Sequence, residues 1–457
     1  MSVLGAQVAA ALEFPPGFRW GASTAAFQIE GATAEDGRTD SIWDAFCRRP
    51  GAVAGGDTGE PAADHYHRPT EDVALMRELG FGAYRFSVAW SRVRPDGGAA
   101  NPRGLDFYDR LTDELLANGI EPWATLYHFD LPQALEETGG WANRDTAYRF
   151  AEFAATTVER LGDRIPFWST LNEPWCSAFL GYGSGVHAPG RREPAAAAAA
   201  AHHLLLAHGL AMPELRRYAP SAQSGITLNL YPVSGADEEA VRRIDGLQNR
   251  LFLDPVLLGR YPDDLLADLA PFGFPVRDGD VELIGAPIDV LGVNYYRGYE
   301  VTRDPALGEP AGPEWIGARD VRFIPDPHAE RTDSGWQVEP AKLTDTLLRV
   351  HRDYPAVPLY ITENGAAYPD AVGPDGEIAD TGRIAFLESH LRAAHAALAQ
   401  GVDLRGFFYW SLLDNFEWAE GYAKRFGLVH VDYESQRRTP KRSAAWYAQV
   451  IAANGLG

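Results

Sequence analysis

"WSTLNEPW" (168–175) and "PLYITENGA" (358–366) are built alike: a short apolar, β-branched run closes on a single glutamate, Glu173 in one and Glu363 in the other. A turn-former follows each carboxylate, Pro174 in the first stretch and Asn364-Gly365 in the second. Runs of this length and composition read as strands buried on both faces, the pattern of a parallel sheet. Each glutamate then stands at the C-terminal tip of its strand, where loops rather than core surround it.

Six further runs share this character: "FRWGAST" (18–24), "AYRFSVAW" (83–90), "EPWATLYHF" (121–129), "SGITLNLY" (224–231), "IDVLGVNYY" (288–296) and "RGFFYWSLLD" (405–414). With "FWSTLNE" (167–173) and "PLYITEN" (358–364) they make eight, and amphipathic helical pattern separates each from the next. In "PTEDVALMRELG" (69–80), Val73, Met76 and Leu79 recur at helical spacing and Gly80 supplies the stop. The alanine run 195–201 reads as a barrel helix, alanine being the best helix former. Eight βα units predict an α/β fold, a single (β/α)8 TIM barrel with long βα loops forming the active-site pocket. One domain over 1–457 is expected, its core at about 14–450. A doubly wound sheet would carry a nucleotide loop after its first strand, and none is present. The Gly/Pro-rich interval 302–340, holding Trp315 and Trp336, reads as a long functional loop, a lid or wall.

Composition excludes several classes. The chain has 63 acidic against 41 basic residues, a formal charge of −22, which opposes binding to nucleic acid or an anionic membrane. Cys47 and Cys176 stand far apart and outside any Cys-x-x-Cys pair, so neither a disulfide framework nor a structural zinc site is expected. The N-terminal stretch 1–18 has no basic start and no cleavage pattern, and no long apolar run follows; a cytoplasmic protein is the expectation. There is no P-loop, "GYGSGV" (181–186) has the wrong glycine spacing for a dinucleotide fingerprint, and Ser184 is no nucleophile elbow. His202, His203 and His208 read as helix-face residues, and His65 and His67, alternating as on a strand, as structural.

In a parallel barrel the strand C-termini share one face, and that face carries the site. Glu173 ends the fourth run and Glu363 the seventh. Two carboxyl groups across such a mouth are what glycoside hydrolysis requires: one protonates the departing oxygen while the other attacks the sugar.

Four motifs occur in order: "FRWGASTAAFQIEGA" (18–32), "LNEP" (171–174), "ITENG" (361–365) and "NFEWAEGYAKRFGL" (415–428). On these the chain resembles glycoside hydrolase family 1, the β-glucosidase family, from about Phe18 to Trp446. The resemblance implies that Glu173 is the acid/base and Glu363 the nucleophile, with Arg85 and Tyr296 supporting the latter. Two donors on Glu363 should keep it ionised, whereas burial and the opposing charge should raise Glu173. It further implies that Gln28, His128, Asn172, Glu417 and Trp418 hold the non-reducing sugar, Asn172 reaching the 2-hydroxyl, with Asn294 supporting. Trp410 would be the sugar platform, Phe426 would lie near the hydroxymethyl end, and Trp336 would wall the aglycone side.

One position departs from the family. "HFDLP" (128–132) has Phe129 where the family commonly has tryptophan, so an indole donor is missing beside the sugar. Expected substrates are β-glucosides and cello-oligosaccharides, with β-D-galactosides and β-D-fucosides also in range, and no cofactor or metal is called for. The competing readings are a 6-phospho-β-glucosidase on the same scaffold and, in another class, a catalytically silent sugar-binding barrel. The intact Glu417-Trp418 pair opposes the first and the presence of both glutamates the second.

Overall fold

A computed structural model describes residues 12–457. The reading of the N-terminal stretch therefore falls largely on residues outside those described. Eight parallel strands close into a barrel: β1 (Arg19–Ser23), β2 (Ala83–Ser87), β3 (Glu121–Tyr127), β4 (Phe167–Asn172), β5 (Gln223–Asn229), β6 (Val290–Asn294), β7 (Leu359–Asn364) and β8 (Leu404–Trp410). Each pairs with its successor in sequence, and β8 returns to β1 through Gly406–Arg19 to Trp410–Ser23. All eight fall within or against the expected runs, mostly with trimmed C-terminal ends. The run 83–90 stops as strand at Ser87 because Trp90–Val93 already turns as helix. The run 405–414 stops at Trp410, after which the chain bends through a cis Trp410–Ser411 peptide.

The N-terminal end of the barrel is plugged by side chains. Ala83, Trp123, Phe167, Val290, Tyr360 and Phe408, from six different strands, form one apolar cluster. Arg19 closes it from below, its guanidinium 4.6 Å from the Phe167 ring centroid and its Nε donating to Glu121 at 2.5 Å. With that end sealed, the opposite end is left to the loops.

A helix follows each strand: α1 (Pro69–Glu78), α2 (Pro102–Ala117), α3 (Asp145–Leu161), α4 (Pro194–Tyr218), α5 (Glu238–Asp245), α6 (Pro340–Asp353), α7 (Thr381–Leu398) and α8 (Arg442–Ala453). The alanine run lies in α4, which starts with Pro194 at its first turn, where the missing N–H costs nothing. Its most apolar window is long enough to span a bilayer, but 83% of it is buried against the rest of the chain, the setting of a core helix.

Two expectations need correction. The interval 302–340 is not structureless: Tyr299–Thr302, Glu309–Pro310 and Arg322–Phe323 join Val233–Ser234 in a four-stranded sheet. Trp315 is the core of this sheet, buried against Phe323, Tyr299 and Trp175. His65 and His67 sit in turns before α1, not on a strand; the alternation reflected a loop folded over Asp72, which His65 Nδ1 meets at 2.7 Å. The α4 histidines are engaged by protein: His202 by Asp280 and Tyr261, His203 by the Trp141 carbonyl, and His208 by Thr170.

Candidate active site

At the C-terminal end of the barrel a pocket of about 280 Å³ opens. Ten of the expected residues line it: His128, Phe129, Glu173, Tyr296, Trp336, Glu363, Trp410, Glu417, Trp418 and Phe426. The other four, Gln28, Arg85, Asn172 and Asn294, stand behind the lining and hydrogen-bond to it.

Glu363 is the penultimate residue of β7 and is almost fully buried. Arg85, inside β2, donates from Nη1 to Glu363 Oε1 at 2.7 Å, and the Tyr296 hydroxyl donates to Oε2 at 2.8 Å. Gly365 is the reason the turn after the glutamate can form. A Cβ there would sit 1.8 Å from the Trp410 carbonyl oxygen, so only glycine lets β7 and β8 approach so closely.

Glu173 lies one residue beyond β4, its backbone N–H still bonded to the Thr227 carbonyl of β5. Its φ is +43°, in the left-handed region, as are those of Phe129 (+76°) and Trp418 (+49°). Three pocket residues thus hold a backbone that side chains disfavour, a strain that neighbouring structure must over-determine. Asn294 Nδ2 donates to Glu173 Oε1 at 2.7 Å, and the Cys176 thiol reaches Oε2 at 3.1 Å. Burial holds that thiol well above its ordinary value, so it stays a donor and not a reactive thiolate.

The two carboxyl groups differ in electrostatics. Burial raises Glu173, the Glu363 charge raises it further, and together they place it at about 7. Burial also raises Glu363, a desolvation cost that stands against the two donors expected to keep it ionised. Arg85 and Tyr296 oppose that rise at close range, and Glu363 is therefore the member of the pair that ionises first. Glu417 is pushed to about 8, by burial first and then by the charges of Glu363 and Glu173.

The sugar-binding candidates form a connected wall. Gln28 donates from Nε2 to the Phe416 carbonyl at 2.9 Å and to Asn415 at 3.0 Å, while its Oε1 is buried without a donor. Asn172 accepts from Arg85 at 2.6 Å and gives Nδ2 to His128 Nε2 at 3.0 Å, which leaves one amide N–H and places the imidazole proton on Nδ1. Burial, then Arg85, keeps His128 neutral. Its ring stacks between Trp410 and Trp418, at 5.6 and 6.0 Å. Beneath the 415–428 loop, Arg383 and Lys441 pair with Asp370, Asp380 and Asp414, all buried, and Arg383 also binds the carbonyls of Ala366 and Arg425.

Sequence reasoning missed Trp175, Leu180, His187, Asn229, Tyr231, Arg297 and Tyr299, which line the pocket together with Cys176. Asn229 was legible in principle as a polar residue ending a buried strand. Trp175 immediately precedes and Leu180 lies within a π-helical turn (Cys176–Ser184), Tyr299 opens the short strand Tyr299–Thr302, and His187, Tyr231 and Arg297 come from loops; no local pattern announces them.

Residues 10–456 match the family profile described as "Glycosyl hydrolase family 1". The chain is 52% identical to thermostable beta-glucosidase B of Thermobispora bispora, covering 97% of this chain and 92% of that one. It is 50% identical to a bifunctional beta-D-glucosidase/beta-D-fucosidase of Bifidobacterium breve, covering 96% and 98%. The psychrophilic beta-glucosidase BglU of Micrococcus antarcticus superposes with a TM-score of 0.94 at 53% identity, over 97% of this chain and 98% of that one. A Thermotoga maritima beta-glucosidase, solved in complex with castanospermine, superposes with a TM-score of 0.92 at 44% identity, covering 98% and 100%.

Proposed function

The chain belongs to glycosyl hydrolase family 1, and from that premise we propose that it is a retaining β-glucosidase working through a covalent intermediate on Glu363. The observation that carries this reading is the unequal pair. One carboxylate is gripped by a guanidinium and a phenol, and the other, in the same pocket, keeps its proton up to about pH 7.

In the first step the Glu363 carboxylate attacks the anomeric carbon while the bond to the leaving oxygen breaks. Glu173 gives that oxygen its proton. Glu363 is then an ester and carries no charge, so the repulsion that raised Glu173 disappears and Glu173 becomes a carboxylate able to act as base. In the second step it takes a proton from water, the water oxygen attacks the same carbon, and Glu363 departs. Two inversions leave the β-anomer. Asn294, donating to Glu173 Oε1, and the Cys176 thiol, donating to Oε2, fix the orientation of the carboxyl group, and Trp410 presents an apolar face to the sugar ring.

The 6-phosphate reading loses support from Lys424 and Arg425, the two cations best placed in sequence to hold a phosphate. Lys424 binds Asp333 at 3.1 Å, Arg425 binds Asp414 at 2.6 Å, and neither lines the pocket. Phe129 supports a second, compatible activity. An apolar ring stands where an indole donor would grip a hydroxyl, which favours tolerance of β-D-fucosides, and the Bifidobacterium relative carries both activities in its name. Aryl β-glucoside, β-fucoside, β-galactoside and β-glucoside-6-phosphate, assayed side by side, test the assignment. The first two should be turned over well and the last barely; preference for the phosphate would overturn it.

A further inference from the structure

Three residues beyond β6, Arg297 is the only Arg or Lys lining the catalytic pocket among the described residues. No ion pair among those residues includes it. Two aromatic faces hold its guanidinium, the Tyr299 ring centroid at 5.2 Å and that of Trp336 at 5.4 Å. Arg297 also lines a second, outer cavity of about 750 Å³, so it stands at the neck between the two, together with Trp175 and Trp336. The other charges facing the inner pocket do not cancel it. Glu363 is matched by Arg85. Glu173 and Glu417, at about 7 and about 8, hold their protons in mildly acidic solution. Glu420 stands at the exposed rim, where solvent screens it. A chain of charge −22 thus keeps an unmatched cation at the exit of its sugar site.

We propose that Arg297 reads a carboxylate on a compact aromatic aglycone, so that β-glucosides of small aryl-carboxylic acids are preferred substrates. The proposal rests on the β-glucosidase reading above. The aromatic ring would lie against Trp336 and Trp175, and its acid group would meet the guanidinium, whose planar fork suits a carboxylate. The outer cavity sets the length. Glu300, Glu309, Glu314, Asp326 and Glu339 line it against Arg331 and Lys342, the latter paired with Glu339, so an acid carried past the neck meets a surplus of like charge.

The test compares 4-(carboxymethyl)phenyl β-D-glucoside with its primary amide, a pair of equal size and similar leaving ability. Wild type should prefer the acid in kcat/KM. Arg297→Met should lower the acid-to-amide ratio by roughly tenfold or more, mainly through KM, as expected for a lost charge-assisted bond, and Arg297→Lys should retain part of it. Added salt should erode the preference in wild type, which keeps the test independent of how well the variants fold. A ratio unaltered by both substitutions and by salt, or a wild type that prefers the amide, would overturn the proposal. Absence of 4-nitrophenyl β-glucoside turnover in wild type would instead sink the glucosidase reading.

Discussion

Arg85 donates to Glu363 at 2.7 Å and to Asn172 at 2.6 Å, so one buried guanidinium ties the end of β7 to the end of β4. It fixes the Glu363 carboxylate relative to the strand that delivers Glu173, and it favours that carboxylate's charge. Arg85→Lys keeps the charge but has no fork to serve both oxygens. Its kcat/KM should fall ~100-fold or more, the usual cost of one preorganised donor. Weaker support of the anion raises the Glu363 pKa, so the acidic limb of the pH–rate profile should move to higher pH. An unmoved limb would separate Arg85 from the nucleophile.

Glu173→Ala should divide substrates by leaving group. Very acidic phenols depart without a proton, so glycosylation by their glucosides should survive, while alkyl glucosides and cellobiose should fail. Azide should then accelerate turnover of the activated substrates and give a β-glucosyl azide. Equal losses across leaving groups would count against Glu173 as the acid.

Glu417 links the site to stability. Its folded pKa is about 8, against roughly 4.3 for an unfolded glutamate. Between those values the folded state holds a proton that the unfolded state has released, so its contribution to stability falls as pH rises through that window. Glu417→Gln removes the titration. Its melting temperature relative to wild type should therefore climb between pH 5 and pH 8, by an amount reflecting a few kcal/mol. Parallel melting curves at all pH values would show that Glu417 ionises normally.

The Phe129 ring is packed 5.0 Å from the Trp418 ring centroid, beside the proposed sugar-binding wall. Phe129→Trp restores an indole donor and should sharpen discrimination for glucoside over fucoside by no more than ~1–2 kcal/mol, one hydrogen bond. Unchanged kcat/KM ratios would make the indole irrelevant here.

The barrel was legible because a parallel strand buried on both faces is apolar throughout, and eight such runs leave few architectures open. Glu173, Glu363, Glu417 and their partners were legible through the order of four motifs rather than through any one. The strand ends were not, since Val88, Ala89 and Trp90 are as apolar as the strand before them, yet Val88 and Ala89 leave the sheet and Trp90 begins a helix. Glycine and proline in 302–340 concealed a small sheet whose strands are two to four residues long, below what periodicity can register. Arg297, Trp175 and His187 reach the pocket through tertiary placement of loops, a distance that no local pattern encodes. The desolvation that raises Glu363 was not legible, because burial depth cannot be read from a motif.

Trapping the intermediate tests the central claim most directly. A 2-deoxy-2-fluoro-β-D-glucoside with an activated leaving group should inactivate the enzyme, because fluorine slows both cation-like steps while the activated leaving group restores only the first. Peptide mapping by mass spectrometry should then find the fluoroglucosyl group on Glu363. A label on Glu173, or turnover without any label and with α-glucose as the first product of an ordinary β-glucoside, would contradict the double displacement.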